Sequence, residues 1–229
     1  MRRTFAALLA ALLLHIGAHS LHAQIRITEW MYDAKAGTGA TAEGEYVELT
    51  NIGSTSIDMT GWSYDDSHEV AGTFSLSAFG TVAGSQSVII AEQDAAGFRT
   101  AWNLSSNVEV IGDLGHPTGN NLGRSDEMNI FDNTNTLVDR LTFNDQGTGN
   151  AKGPRTQNFS GNPTSLAVLG TNNASQWVLS SAGDGYGSYA SAAGNIGSPG
   201  VFVIPVPEPS AALLMLLGGI GLVAYLNWR

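Results

Sequence analysis

Glu45-Tyr46-Val47-Glu48-Leu49-Thr50-Asn51-Ile52-Gly53, followed after a short gap by Ile57-Asp58-Met59-Thr60-Gly61-Trp62, is the stretch that decides the fold. Its alternation reads as a strand in which Val47 and Leu49 face one side while Tyr46, Glu48 and Thr50 face the other. Asn51 and Gly53 then end it, and a second strand is expected from Ile57 to Tyr64.

Outward from there the same grammar repeats. Brief β-branched or alternating runs stand between clusters of Gly, Ser, Thr and Asn, as an all-β sandwich requires. Further strands are expected at Ile25 to Tyr32, Ser85 to Ala91, Val108 to Ile111, Met128 to Phe131, Leu137 to Phe143, Leu166 to Leu169 and Gln176 to Leu179. Asp132 to Thr136 is a hairpin loop by composition. One short helix is expected, from Asp94 as N-cap to Trp102, with Phe98 and Trp102 on one face, placed to plug an end of the sandwich. The Gly-, Ser- and Ala-rich stretch from Gly183 to Gly200 reads as irregular and partly mobile.

The opening motif resembles the lamin tail domain. An acidic-aromatic strand ends in Asn and Gly, a Gly-Trp pair begins the next, Ile25 to Tyr32 precedes them, and Met128 to Phe143 supplies the late hairpin. The likeness covers Ile25 to Asp145 well and the remainder loosely, with Trp177 and Gly197-Ser198-Pro199-Gly200 as a frequent bacterial ending. It implies an immunoglobulin-like β-sandwich, here without a bridging disulfide, because the chain has no cysteine. The nuclear setting of eukaryotic lamin tails does not fit the two ends of this chain.

At the N-terminus, Arg2 and Arg3 precede an uncharged run from Phe5 to Leu14, the n- and h-regions of a secretory signal peptide. Small residues permit cleavage after Ser20 or after Ala23, and Ala23 is preferred because Gln24 then starts the mature chain just ahead of the first strand. At the C-terminus, Val206-Pro207-Glu208-Pro209 stands before an apolar run from Ala211 to Leu226 and a terminal Arg229 that favours cytoplasmic retention of that end. Stiff Pro-Glu-Pro, greasy helix and basic stop together resemble the PEP-CTERM sorting signal of exopolysaccharide-making bacteria. That resemblance implies processing near Pro207 by an exosortase and delivery to the cell envelope or extracellular matrix. The chain thus divides into a signal peptide (1–23), a lamin-tail-like domain (24–200), a linker with the Pro-Glu-Pro motif (201–210) and a transmembrane segment with its basic end (211–229).

The chain carries 20 acidic and 10 basic residues, and Glu208, Arg2, Arg3 and Arg229 lie in the end signals, so the body is near −12. Such a body repels nucleic acid and anionic lipid. The absence of cysteine also excludes thiolate metal sites and a cysteine nucleophile. Only His68 and His116 lie outside the leader, and no G-x-S-x-G stretch accompanies them.

Asp65, Asp66, His68 and Glu69 form the densest polar cluster, read as a solvated turn with a hard cation as the rival. Asp132, Asn133 and Asn135 read as a hairpin loop, and Glu29, Glu45 and Glu48 as strand residues. Trp30, Trp62, Trp102 and Trp177 could stack on sugars, but Trp62 and Trp102 are expected in the core. The reading is therefore a non-enzymatic adhesion or scaffolding module with no catalytic residue, metal or cofactor called for. Its partners are the exosortase, the membrane through the C-terminal helix, and exopolysaccharide or surface proteins. A polysaccharide- or calcium-dependent binding protein is the alternative, and an accessory of a secreted hydrolase the weakest.

Overall fold

A computed structural model describes residues 24–35, 44–114 and 119–205. The expected cleavage point after Ala23, His116, the motif Val206 to Pro209, the apolar run and Arg229 lie outside the described residues, apart from Gln24 itself. Among the described residues no helix is long and apolar enough to cross a membrane.

The strands in chain order are β1 (Ile25–Met31), β2 (Tyr46–Asn51), β3 (Ile57–Asp58), β4 (Ser63–Asp66), β5 (Phe74–Ser75), β6 (Thr81–Val82) and β7 (Ser87–Ala91). After helix α1 (Ala95–Ala101) come β8 (Glu109–Ile111), β9 (Ser125–Phe131), β10 (Leu137–Asn144), β11 (Gly161–Pro163), β12 (Trp177–Leu179), β13 (Tyr189–Ala190) and β14 (Ile196–Gly197). A six-stranded sheet runs β12-β11-β1-β2-β7-β8 and a four-stranded one β10-β9-β4-β5, with β3–β6 and β13–β14 as separate pairs. Neighbours in the two main sheets are antiparallel except β7 and β8.

Alternation along each strand fills the space between the sheets. Ile25, Ile27, Trp30, Val47, Leu49, Val88 and Ile90 meet Tyr64, Met128, Ile130, Leu141 and Phe143. Trp30 and Phe143 bring their ring centroids to 4.0 Å. Along the β1–β10 seam, Asp139 accepts the Ile27 N–H at 2.9 Å, and Arg26 donates to the Val138 carbonyl at 2.8 Å. These bonds satisfy backbone at two register shifts, that of β1 against β2 between Ile27 and Glu29 and that of β10 against β9 between Leu137 and Asp139.

The expected strand from Ile57 to Tyr64 is in fact two. Asp58 turns the chain by accepting the Thr60 N–H at 2.9 Å, and Gly61 follows at φ +81°, so β3 pairs with β6 while β4 joins the smaller sheet. Ser85 sits at φ +65°, which delays β7 to Ser87. Leu166 to Leu169 is a 3₁₀ turn over Leu166–Val168 rather than a strand, because a four-residue apolar run before a left-handed glycine, Gly170 at φ +74°, does not by itself choose between them. Asp94 caps α1 as expected, accepting from Ala96 and Gly97 at 3.1 and 3.0 Å. The helix does not plug an end, however. Phe98, Ala101 and Trp102 pack with Met31, Tyr46, Ile89 and Ala91 on the outer face of the larger sheet.

The stretch from Gly183 to Gly200 is held in place along its length. Asp184 accepts the N–H groups of Ser181, Tyr186 and Ser188; β13 pairs with β14; Ala192 donates to the Ala101 carbonyl, and Ile196 bonds both ways with Asn158 and Ser160. Backbone groups make most of these bonds, which is why small side chains suffice there.

Candidate functional site

The outer face of the larger sheet carries a buried polar stripe. Glu29 and Glu48 are register partners across β1 and β2, and each is at most 1% exposed. Like charges directly opposite one another repel, and burial removes the water that would screen them. Burial therefore raises both carboxyl pKa values first, and for Glu48 the charge of Glu29 adds to it.

Donors surround the pair. Glu48 Oε1 accepts from Thr28 Oγ1 at 2.7 Å, and Thr28, Thr50 and Ser87 continue the chain of hydroxyls at 2.8 Å each. Glu29 Oε1 accepts from the Ser160 hydroxyl and from the Ser198 N–H at 2.8 Å, while Glu48 Oε2 accepts from the Gly200 N–H at 2.7 Å. Glu29 Oε2 and Tyr46 Oη, both sealed from water, have no hydrogen-bond partner. The Tyr46 hydroxyl is a donor beside that carboxyl, and it lowers the Glu29 pKa against the larger effect of burial. Chemically, then, the stripe is a lock. Two carboxyl groups of the sheet hold down the strap 195–200 that lies over them.

Gly197 is the point of closest approach. A methyl group there would stand 2.5 Å from Tyr46 Oη, 3.1 Å from Ser160 Oγ and 3.2 Å from Glu29 Oε1. Gly197→Ala is expected to cost about 2 kcal/mol by overpacking. Chemical denaturation checks it, and a stability equal to that of the parent would mean that the strap is not seated on these groups.

A second constellation lies where β4 ends. Ligand atoms of Asp65, Asp66 and His68 lie within 4.8 Å of one another. Glu69, which the sequence adds to this cluster, turns to Arg140 at 2.6 Å. Two residues from distant parts of the chain approach instead. Glu45 takes the Leu122 N–H on both oxygens, at 2.9 and 2.8 Å, and burial, then the charges of Glu92, Asp66 and Asp126, push its carboxyl up to about 9. Asp126 accepts from the Gly123 N–H at 2.8 Å and from the Ser67 hydroxyl. Burial, then Asp126 and Asp65, push the Asp66 carboxyl up to about 6. Beside Glu45 and Glu92 opens a cleft of about 380 Å³, lined also by Tyr32, Asp33, Leu122 and Arg124.

The other sequence candidates are structural. Trp30, Trp102 and Trp177 are buried and Trp62 packs against the core, so these four do not form an exposed row for sugar rings. Asp132 satisfies its own hairpin through the Thr134 and Thr136 N–H groups at 2.8 and 2.9 Å.

Two family models match the chain. The Lamin Tail Domain model covers residues 19–145, more than half of the 229, and a PEP-CTERM protein-sorting motif covers 205–229. The first ends at the residue where the sequence likeness ends, Asp145, and leaves out β11 to β14 and the strap. No curated protein matches the chain.

Proposed function

The chain belongs to the lamin tail domain family and carries a protein-sorting motif at its end, and from this we propose that it is an exported, non-catalytic adhesion or scaffolding protein of the cell envelope or extracellular matrix. The observation that carries the proposal is the PEP-CTERM match over 205–229, a substrate signal for an exosortase, following directly on a folded β domain. The two carboxyl groups best placed for acid–base chemistry, Glu29 and Glu48, support the non-catalytic reading, since both are sealed and bonded to the strap.

The fold also suits the sorting step. Pro205 lies over Gly185 so closely that a methyl group on Gly185 would stand 2.9 Å from its Cγ. Five residues separate Pro205 from Ala211, where the apolar run begins, and the six steps between them reach about 20 Å when fully extended. Before processing, on this reading, the body is therefore kept near the membrane, and Pro207-Glu208-Pro209 fall within those five residues.

Mass spectrometry of the mature protein from its own host tests this, against a strain lacking the exosortase. The expected result is a C-terminus near Pro207 in the wild type and an intact tail in the mutant. An intact tail in both would make residues 211–226 a permanent anchor and end the sorting proposal.

A further inference from the structure

The larger sheet ends in β12, and that end is open. Thr164 N–H bonds to the Gln176 carbonyl at 3.1 Å and Ser180 N–H to that of Ser160 at 2.9 Å, on either side of the register pair Asn162 and Val178. Bonded and non-bonded pairs alternate along an antiparallel ladder, so Val178 turns its backbone to β11 while Trp177 and Leu179 turn theirs outward. The Trp177 N–H is taken by the Ala174 carbonyl of the preceding 3₁₀ turn, Ala174–Gln176. The edge therefore presents the Trp177 carbonyl and both backbone groups of Leu179. Apolar side chains stand beside them: Val178 is 39% exposed, Leu179 42%, and Phe159, one residue before Ser160, 41%.

Sheet ends are usually guarded, because an open edge pairs with any strand that reaches it. The other ends of the two main sheets are guarded here. β8 carries Glu109, and β5 is two residues long. The backbone of β10 is occupied by side chains, Arg26 at the Val138 carbonyl and Asn172 at the Thr142 N–H, at 2.8 and 2.6 Å. By contrast β12 carries neither charge nor proline, and residues 156–183, which include β11 and β12, hold no charged side chain at all. In a body near −12, this is a place where a second copy approaches without like charges meeting.

We infer that β12 is the seat of a two-fold dimer, in which β12 of a second copy of this chain pairs with it antiparallel about Val178. The sequence fits itself in that register. Trp177 stands opposite the second copy's Leu179, Val178 opposite its Val178, and Leu179 opposite its Trp177, so every cross-strand pair is apolar. Each Leu179 N–H meets the Trp177 carbonyl of the other copy. The two Val178 residues then form a pair without hydrogen bonds between them, their Cα atoms about 4.5 Å apart. Two six-stranded sheets become one continuous sheet, and the contact closes on itself because each copy offers one such edge. The contact is small, so the dimer forms in proportion to concentration.

The test exploits the absence of cysteine from the chain. Full-length Val178→Cys in mild detergent is expected to give a disulfide-linked dimer on oxidation, since about 4.5 Å between Cα atoms lies within disulfide reach. Leu179→Cys, similarly exposed but opposite Trp177, is expected not to. Sedimentation velocity of the parent is expected to show a mass that rises with concentration toward twice that of the monomer. Two variants are expected to stay monomeric while melting near the parent. Val178→Lys sets like charges face to face, and Leu179→Pro removes the bonding N–H from an edge position that tolerates proline. A parent that stays monomeric at every concentration overturns the inference. So does association that survives both substitutions, as it would if the apolar tail drove it, or crosslinking of Leu179→Cys as readily as Val178→Cys. None of these outcomes bears on the sorting proposal, which is read from where the mature chain ends.

Discussion

Raising the pH from about 5 to about 9, in chelator, is expected to lower the melting temperature by roughly 10 °C. An ordinary glutamate titrates at 4.5, whereas burial pushes Glu29 up to about 7 and Glu48, which also feels Glu29, up to about 8. Between those limits the folded chain binds more protons than the unfolded one, so stability falls as pH rises. The contribution is complete below about 4.5, is lost progressively through about 8, and is flat above. Each tenfold change in proton affinity is worth about 1.4 kcal/mol. The pair shares one environment, so a combined loss of about 4 kcal/mol is the appropriate scale, and at this chain length that gives the temperature shift stated. Glu45, pushed up to about 9, acts with the same sign, whereas Asp145, held low by Arg124 and Tyr32 against the effect of burial, sets a decline only in stronger acid. Replacing both residues, as Glu29→Gln with Glu48→Gln, keeps oxygen acceptors for the Ser198 and Gly200 N–H groups and removes the charge. The double variant should match the parent near pH 5, exceed it near pH 8, and show a shallower slope. A parent whose stability rises from pH 5 to 8 would contradict the whole account of the stripe.

The two halves of this lock differ in how far the sequence discloses them. The alternation of residues 46–50 places Glu48 and Thr50 on the face opposite Val47 and Leu49, and the structure has them there. What alternation cannot say is that this second face is also covered. The cover comes from Ser160, Ser198 and Gly200, more than a hundred residues away, and two of its four bonds are made by backbone N–H groups, which nearly every residue type offers. Composition therefore marks Gly183 to Gly200 as loose when it is the layer that seals the sheet. The same contrast appears at the acidic corner. Asp65, Asp66 and His68 are neighbours in the chain and stand out in the sequence, whereas Glu45 and Asp126 join them only through the pairing of β4 with β9 and the loop bond of Leu122 to Glu45. Two-residue strands such as β5, β13 and β14 are too short to show any period.

Trp102→Ala is expected to cost about 4 kcal/mol and to open the outer layer before the sandwich itself. Its side chain is 1% exposed and meets Tyr46 and Tyr189 edge-on, at centroid distances of 5.7 and 5.8 Å, with Phe98 at 6.2 Å. It thus joins three pieces: the sheet through Tyr46, the helix through Phe98 and the strap's hairpin through Tyr189. The hairpin is also tied to the end of the helix by backbone acceptors, Tyr189 Oη donating to the Trp102 carbonyl at 2.9 Å and Ala192 N–H to that of Ala101. Removing the indole leaves a cavity under both, so helix and hairpin lose their common support at once. None of its ring contacts reaches the inter-sheet core around Trp30 and Phe143. Urea denaturation should show the loss of stability, and limited proteolysis should cut first within residues 183–200, with the strands of the smaller sheet protected. Trp102→Phe, which keeps an aromatic ring against Tyr46 and Tyr189, should recover much of both. If Trp102→Ala were cut no faster in 183–200 than elsewhere, the strap would be held by the Glu29 and Glu48 bonds and by its backbone bonds to Asn158 and Ser160. The helix would then be a separate cover of the sheet, with no part in holding the segment that leads to the sorting motif.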